Sequence, residues 1–167
     1  MLENLSNVLA QVDGLVVVDN GSNPGELTQL QEASEALAFR LIENRENLGI
    51  AEALNQGVRW AMSHGYPWVI LLDQDSKITD GFIGQLFAAW KAHPERDRIC
   101  SIHPRYVDPA TGIEPAWRRA SDGSPITSIT SGAMMPIWVF HKVGWFASEY
   151  FIDSVDVEYS YRIRAAG

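Results

Sequence analysis

Residues 68–76 read Trp-Val-Ile-Leu-Leu-Asp-Gln-Asp-Ser, an uninterrupted apolar run that ends in two carboxylates one residue apart. A run of this kind is typical of a strand that is buried on both faces of a parallel sheet. A second apolar run, Leu-Val-Val-Val at 15–18, leads directly into Asp19 and Asn20. The sequence therefore predicts two buried strands, each followed by a polar loop that carries carboxylate or amide groups.

Helical patterns alternate with these strands. Apolar residues recur every three or four positions in 27–38, 50–63 and 79–93, and Asn47 is the predicted N-cap of the second of these helices. A short strand is expected at 39–42. Such alternation predicts an α/β fold with a mainly parallel sheet flanked by helices, in which ligands bind outside the carboxyl ends of the strands.

The two ends of the chain depart from this pattern. Residues 1–12 have a helical apolar spacing, so we expect the first strand of the sheet to be missing from this chain. The region after residue 103 is rich in Pro, Gly and Ser and is expected to be less regular, with antiparallel elements. We expect one domain over 1–167, truncated at both ends, with an α/β half at 1–103 and a less regular half at 104–167.

Composition narrows the function classes. The 167 residues carry a formal net charge of −8, which disfavours binding to nucleic acid phosphates. The longest apolar runs are strand-sized, so no membrane-spanning segment is predicted. A single cysteine, Cys100, excludes an internal disulfide and a Cys-based zinc cluster and suits a cytoplasmic location. The four histidines lack the spacing of metal ligands and are interpreted as surface or capping residues.

Asp73 and Asp75 predict a metal site. Two carboxylates this close repel each other unless a cation lies beside them, and hard oxygen ligands favour Mg²⁺ or Mn²⁺. Such an ion would neutralise the charge of a departing diphosphate as a Lewis acid. The alternative is an ordinary polar turn, in which Asp75 caps a backbone amide.

Further polar groups follow the other predicted elements. The carboxylate of Asp19 can accept the N–H of a pyrimidine ring, or bind a ribose, at the end of its strand. Asn20, Asn47 and Asn55 join it as candidate contacts of a nucleotide sugar. Gly57 is expected to let its helix pack tightly on the sheet.

Acidic residues gather at the start of the last predicted helix, for which Asp153 or Ser154 is the N-cap. The helix dipole favours acids in a first turn, which explains Asp153 and Glu158 without catalysis. Asp156 is therefore the candidate general base. Arg162 follows Glu158 at a spacing that favours an ion pair.

Together these motifs resemble the family 2 inverting glycosyltransferases with the GT-A fold, and in particular their bacterial rhamnosyltransferase-like members. The resemblance runs from about Leu15 to the C-terminus and rests on the order of several motifs along the chain. They are Val-Val-Asp19-Asn-Gly-Ser, Asn47-x-Gly-x-Ala-x-Ala-x-Asn55-x-Gly, Leu-Leu-Asp73-Gln-Asp75-Ser, Thr130-Ser-Gly and Phe151-Ile-Asp153-x-Val-Asp156-x-Glu-x-x-x-Arg162.

The resemblance implies a role for each of these acids. Asp19 would contact the nucleobase, Asp73 the ribose or the metal-bound diphosphate, and Asp75 the metal. Asp156 would deprotonate the acceptor hydroxyl. The residues that would support this last segment are Asp153, Glu158 and Arg162. The same resemblance makes 1–167 one catalytic domain, with a nucleotide-binding half at 1–103 and an acceptor and base half at 104–167.

The implied reaction is a single displacement at the anomeric carbon of a nucleotide sugar, with inversion. The donor would be a dTDP- or UDP-sugar, with rhamnose as one candidate sugar. The acceptor would be a saccharide or a lipid-linked molecule, in polysaccharide or cell-surface glycan synthesis. The full-length enzyme would act in the cytoplasm, where peripheral contact with the inner face of a bacterial membrane stays open.

Two other interpretations stay open. A phosphatase of the haloacid dehalogenase type also uses Asp-x-Asp after an apolar strand, with Asp73 as nucleophile and Asp75 as acid, but it leaves the other motifs without a function. A catalytically incomplete nucleotide-binding fragment is the second, since the first strand is expected to be missing. A Rossmann dehydrogenase is disfavoured because neither apolar strand is followed by Gly-x-Gly-x-x-Gly.

Overall fold

The computed structural model describes residues 2–107, 111–112, 118–121 and 123–166. The irregular segment at 108–125 lies partly outside these ranges. Among the described residues, no helix is long and apolar enough to cross a membrane. Short 3-10 turns lie at Arg96–Arg98 and Ser148–Tyr150. The helices and strands, in chain order, are α1 (Leu2–Leu9), β1 (Val16–Asn20), α2 (Pro24–Leu37), β2 (Arg40–Asn44), α3 (Ile50–Ser63), β3 (Trp68–Ile70), α4 (Phe82–Ala92), β4 (Met134–Pro136), α5 (Trp138–Val143) and α6 (Val155–Ala165).

β1 and β2 form a parallel pair, with Val16 opposite Arg40 and Asn20 opposite Asn44. Helix α3 lies against β1, and a Cβ placed on Gly57 would be 3.7 Å from Val16 Cγ1, an ordinary contact distance. A methyl group would therefore fit at this position, so the packing of α3 on the strand does not depend on the missing side chain as predicted. The carboxyl ends of both strands consequently meet the start of α3 at one edge.

β3 and β4 form an antiparallel pair, in which Ile70 lies opposite Met134. Met134 also exchanges two backbone hydrogen bonds of 2.9 Å with Ile102. The segment at 99–102 thus joins β4 through a single antiparallel bridge at Ile102. The parallel first pair agrees with the predicted α/β class. β3 was predicted as a buried strand of the parallel sheet, but it is partly buried and pairs antiparallel with β4, because its described neighbour comes from the mixed C-terminal half.

One hydrophobic core joins the two predicted halves of the chain. Val58 of α3, Met134 of β4 and Val139 of α5 are all completely buried. Val155 and Tyr159 of α6 belong to the same cluster. Because α3 shares its buried face with the C-terminal elements, polar residues from distant parts of the chain are held around one end of the sheet.

The cap of α3 differs from its prediction. The helix begins at Ile50, as expected, but its N-cap is Gly49 and not Asn47. Asn47 Oδ1 instead accepts a hydrogen bond from the Gly49 N–H at 2.9 Å and closes the turn before the helix. The Ile50 N–H donates to the carbonyl of Phe151 at 2.6 Å, so a segment far along the chain supplies the cap.

Candidate active site

The two acids of the Asp-Gln-Asp motif lie in the segment that follows β3, named here the β3 loop (residues 73–79). The Asp73 N–H donates to the Ser131 hydroxyl at 3.4 Å, and the hydroxyls of Ser76 and Ser131 are bonded to each other. The Thr-Ser-Gly motif at 130–132 therefore holds one side of the β3 loop.

Gly132 fixes the approach of this motif to the strand. Its N–H donates to the Leu71 carbonyl at 2.7 Å, which continues the bonding of β3 beyond its last residue. Its φ is +79°, and a Cβ there would lie 2.8 Å from Pro104 Cγ. Both the backbone angle and the lack of space favour glycine at this position.

The polar face of α1 holds the other side of the β3 loop. Asn7 Nδ2 donates to the Ile78 carbonyl at 2.8 Å, and Gln11 Nε2 donates to the Thr79 carbonyl at 3.0 Å. Asn4 Oδ1 accepts from the Ile78 N–H at 3.3 Å. Asn4 and Asn7 lie on one face of α1, because residues three apart share a face of a helix, and Gln11 lies in the turn just after α1. Together they brace the segment next to the acids.

The pKa of Asp73 is affected by two other acids. Burial raises the pKa of Asp73, and the negative charges of Asp75 and Asp156 raise that pKa further. Asp75 and Asp156 therefore both lie close enough to act on the charge of Asp73, although Asp156 comes from a distant part of the chain. Asp153 is exposed in the segment before α6. A cation beside Asp73 and Asp75 would relieve this repulsion.

The same acids fit a metal ion that binds together with a phosphate ligand. In the described ranges, no three His, Cys, Asp or Glu side chains are grouped closely enough to hold an ion by themselves. Mg²⁺ is usually bound by one or two carboxylates with substrate phosphates and water completing its shell. Asp73 and Asp75 therefore suit a divalent cation that arrives with a diphosphate.

Asp19 lies at the end of β1 and is only 3% exposed. Its carboxylate accepts hydrogen bonds from the Gly21 and Ser22 N–H groups, both at 3.3 Å. This turn holds a buried negative charge at the carboxyl edge of the strand, which is where a nucleotide contact is predicted.

Asn20 uses its whole amide to shape the loop before α3. Its Nδ2 donates to Asn47 Oδ1 at 2.9 Å and to the Gly49 carbonyl at 3.1 Å. Its Oδ1 accepts from the Leu48 N–H at 3.0 Å and from the Asn44 side chain at 3.2 Å. Asn20 thus has a structural role in this loop, which the Asn47 side-chain carbonyl shares, and the contact of either residue with a nucleotide sugar stays a prediction.

Asn55 is a core residue of α3 with 2% exposure. Its Nδ2 donates to the Phe146 carbonyl and its Oδ1 accepts from the Phe146 N–H, both at 2.9 Å. A buried amide needs such partners, and here they come from the chain itself. The predicted contact with a nucleotide sugar is therefore replaced by a structural role, which fixes the chain before α6 against α3.

Asp156 lies half-buried in the first turn of α6. The predicted ion pair below it is present, since Arg162 Nη2 lies 2.7 Å from Glu158 Oε2. Arg162 also donates to the carbonyls of Val143 at 3.1 Å and Trp145 at 2.8 Å. Glu158 and Arg162 thereby fasten α6 to the chain that leaves α5.

Residues 1–145 match the family model for glycosyl transferase family 2. The chain belongs to this family. It is 30% identical over 182 aligned residues to the dTDP-rhamnosyl transferase RfbF of Shigella flexneri, which covers 96% of this chain and 58% of the relative. It is also 32% identical over 77 residues to poly-beta-1,6-N-acetyl-D-glucosamine synthase of Staphylococcus aureus, which covers 44% of this chain and 18% of that enzyme.

Solved structures of glycosyltransferases share the fold of this family 2 chain. A mannosyltransferase from Pyrobaculum calidifontis, solved with GDP-Man and Mn²⁺, superposes with a TM-score of 0.69 at 21% identity and covers 96% of this chain and 47% of its own. TarS of S. aureus superposes with a TM-score of 0.74 at 13% identity, over 99% of this chain and 31% of its own. The predicted GT-A fold is confirmed, and the chain spans 58% of the length of RfbF, 47% of the mannosyltransferase and 31% of TarS.

A groove of about 610 Å³ opens beside Asp156 in this family 2 chain. His103 lines it, and its Nε2 lies 2.9 Å from the hydroxyls of both Ser101 and Ser128. Burial lowers the pKa of His103 to about 4, against an opposing interaction with the backbone of Ile129. His103 is therefore a neutral, half-buried residue that lines the groove, and not the exposed surface or capping residue that was predicted.

Sequence reasoning missed three kinds of site residue. The side-chain amides in and just after α1 lie between apolar residues, and the helical spacing of those apolar residues predicts a helix but no contact of the amides. His103 has no local sequence signal of burial. The one available signal was its position directly after the apolar residue Ile102, which resembles the position of Asp19 after the apolar run at 15–18. Gly49 shows its constraint only through a contact with Phe151.

Proposed function

We propose that this chain is the donor-binding and catalytic part of an inverting, metal-dependent glycosyltransferase. It transfers a sugar from a nucleoside-diphosphate sugar to a saccharide or lipid-linked acceptor. The observation that carries the proposal is the nearness of Asp75 and Asp156 to Asp73, whose pKa their charges raise, in the loop that follows β3. Family membership supports the same conclusion and replaces the phosphatase interpretation.

The donor half of this proposal assigns Asp73 and Asp75 to a Mg²⁺ or Mn²⁺ ion. When bound, the ion supplies Lewis-acid stabilisation to the departing diphosphate. Asp75 is the firmer ligand, while Asp73 is shared between the ion and the nucleotide. The buried carboxylate of Asp19 accepts an N–H of the base, a bond that needs no movement because the turn at 21–22 already fixes it.

The acceptor half assigns the base to Asp156. Its carboxylate takes the proton of the acceptor hydroxyl as the oxygen attacks the anomeric carbon on the face opposite the leaving diphosphate. The displacement is in line, so the configuration at the anomeric carbon inverts. Glu158 and Arg162 hold α6, and with it Asp156, against the rest of the fold.

A dTDP-sugar is the first donor to test, with rhamnose as its sugar. Support comes from the 30% identity to a transferase named for dTDP-rhamnose. Support for the ion comes from the mannosyltransferase solved with Mn²⁺, which shares the fold. UDP and GDP belong in the same screen as competing nucleotides.

The metal assignment is tested by thermal shift on this chain. Mn²⁺ with dTDP should raise the melting temperature of the wild type, because a ligand that binds only the folded state stabilises it by mass action. Asp75→Ala should abolish the shift. The matched control is Asp80→Ala, which removes an exposed aspartate just after the β3 loop and should keep the full shift. Equal shifts for the wild type and Asp75→Ala would rule out the metal assignment.

A further inference from the structure

The segment before α6, named here the α6 loop (residues 148–154), has an uncommon backbone. Phe151 has φ 51° and ψ −65°, and the Ile152 N–H donates across it to the Tyr150 carbonyl at 2.5 Å. Ser154 also has a positive φ of 69°. Non-glycine residues rarely adopt such angles unless their surroundings impose them, and these angles concentrate at functional sites.

The apolar side chains of the α6 loop bury little surface. Tyr150, Phe151 and Ile152 are exposed, and Ile152 reaches 66%. Burial of apolar side chains therefore does not explain the strained backbone. At its start the loop is tied to α3 by Ser148 Oγ, which donates to Glu52 Oε2 at 3.1 Å. At Phe151 it is held by a contact of the backbone.

That contact is with the start of α3. The Phe151 carbonyl accepts the Ile50 N–H at 2.6 Å. A Cβ placed on Gly49 would lie 2.6 Å from the Phe151 carbonyl oxygen and 2.9 Å from Phe151 Cα, closer than side-chain atoms approach a backbone. Gly49 has φ +85° as well. Glycine is thus required both by the angle and by the passing chain.

Gly49 also belongs to the loop beside the predicted nucleotide contact. Its carbonyl accepts from Asn20 Nδ2 at 3.1 Å, and its N–H donates to Asn47 Oδ1 at 2.9 Å. Asn20 directly follows Asp19 at the end of β1. The backbone N–H and carbonyl of Gly49 therefore bond to residues beside the end of β1. The side of its Cα where a side chain would stand faces the α6 loop.

We propose that Gly49 is a positioning residue that sets the distance between the nucleotide-binding end of β1 and the base on α6. The inference rests on the proposed function, because it takes Asp19 as a donor contact and Asp156 as the base. A side chain at position 49 displaces the α6 loop at Phe151, five residues before Asp156. Ordering at the β1 end passes through the same contact to the α6 loop.

Kinetics give the first readout. Gly49→Ala should leave the dissociation constant for Mn²⁺ and dTDP within about twofold and lower kcat about 100-fold, the loss expected from a misplacement near 1 Å. Gly65→Ala is the matched control, since Gly65 also has a positive φ, +76°, but no atom within 4 Å of an added Cβ. An unchanged kcat for Gly49→Ala overturns the inference.

Hydrogen exchange gives a readout that needs no turnover. In the wild type, Mn²⁺ with dTDP should protect amides at 19–22 and also at 152–157. In Gly49→Ala, protection at 19–22 should remain and protection at 152–157 should be lost. Protection of both segments in the variant overturns the inference.

Two further results separate the possible failures. If the wild type shows no protection at 19–22, the proposed function itself fails. If circular dichroism shows that Gly49→Ala does not fold, Ile50→Pro takes its place, since proline is tolerated at the first position of a helix and lacks the N–H that donates to the Phe151 carbonyl. Loss of protection at 152–157 in that variant supports the inference, and retained protection overturns it.

Discussion

The β3 loop and the α6 loop carry or precede the acids of one site, yet they are held in different ways. The β3 loop is bonded on one side by the amides of α1 and on the other by Ser131. The α6 loop has positive φ angles at Phe151 and Ser154 and meets α3 through a backbone contact. The β3 loop is therefore held by several side-chain hydrogen bonds. The strained part of the α6 loop is held by the contact of Phe151 with Gly49 and Ile50.

This difference separates two tasks. A metal site needs carboxylates that stand close together before the ligand arrives, and several fixed hydrogen bonds provide that. A base must meet the acceptor hydroxyl in the right place relative to a bound donor. A loop that is tied to the nucleotide-binding end of the sheet, and is otherwise exposed, is suited to that second task.

The largest effect is expected at the base itself. Asp156→Asn should lower the rate of transfer by about 10²–10⁴-fold, because an amide cannot take the proton of the acceptor hydroxyl. The thermal shift with Mn²⁺ and dTDP should be unchanged. Asp153→Asn, an exposed neighbour in the α6 loop, serves as the control and should retain transfer. Full transfer by Asp156→Asn would move the base to another residue, with Asp153 next.

His103 should make the stability of the protein depend on pH. It also belongs to a hydrogen-bonded chain that reaches α6. Its partner Ser128 donates a backbone N–H to the Ser160 hydroxyl of α6 at 3.2 Å. An unfolded histidine takes up a proton near pH 6.5, and folded His103 does so only near pH 4. Its contribution is therefore complete above pH 6.5 and is lost as the pH falls towards 4, on the order of 3 kcal/mol in the free energy of unfolding.

Urea unfolding at several pH values measures this effect. The wild type should lose stability between pH 6.5 and 4 more steeply than His103→Gln, whose side chain keeps hydrogen-bonding capacity but does not titrate. His93→Gln removes an exposed histidine and should follow the wild type. The same pH dependence for the wild type and His103→Gln would contradict a buried neutral imidazole.

The smallest effect is expected at the brace of the β3 loop. Asn7→Ala should lower the free energy of unfolding by about 1 kcal/mol, since it leaves the Ile78 carbonyl without its donor. It should also reduce the thermal shift with Mn²⁺ and dTDP. Ser6→Ala, on the exposed side of α1, should change neither quantity. If both variants are equally stable, α1 does not hold the loop.

Much of the fold was predictable because it follows local patterns. The bounds of α3 and the start of α6 agree with the predicted helices, and β1 agrees with the apolar run at 15–18 except that it extends through Asn20. The short helix α5 was not predicted, since six residues are too few for a clear period. The N-cap of α3 was assigned to Asn47 because Asn often fills that position locally, whereas a distant carbonyl fills it here.

The candidate site was predictable in part. Acids that follow buried strands lie at the carboxyl edge of the sheet by the nature of the fold, so Asp19, Asp73 and Asp75 needed no tertiary information. Asn55 lies on the helix where the pattern put it, but its direction into the core depends on packing against Phe146. The burial of His103 depends in the same way on neighbours from other segments.

The sequence by itself determined which residues carry charge, where strands and helices alternate and which family the motifs resemble, because these depend on residue type and short-range period. Only the tertiary structure decided that Asp156 stands near Asp73, that α1 braces the β3 loop and that Phe151 passes over Gly49. Each of these is a contact between residues far apart in the chain. Such contacts are set by the packing of one shared core, which no local pattern records.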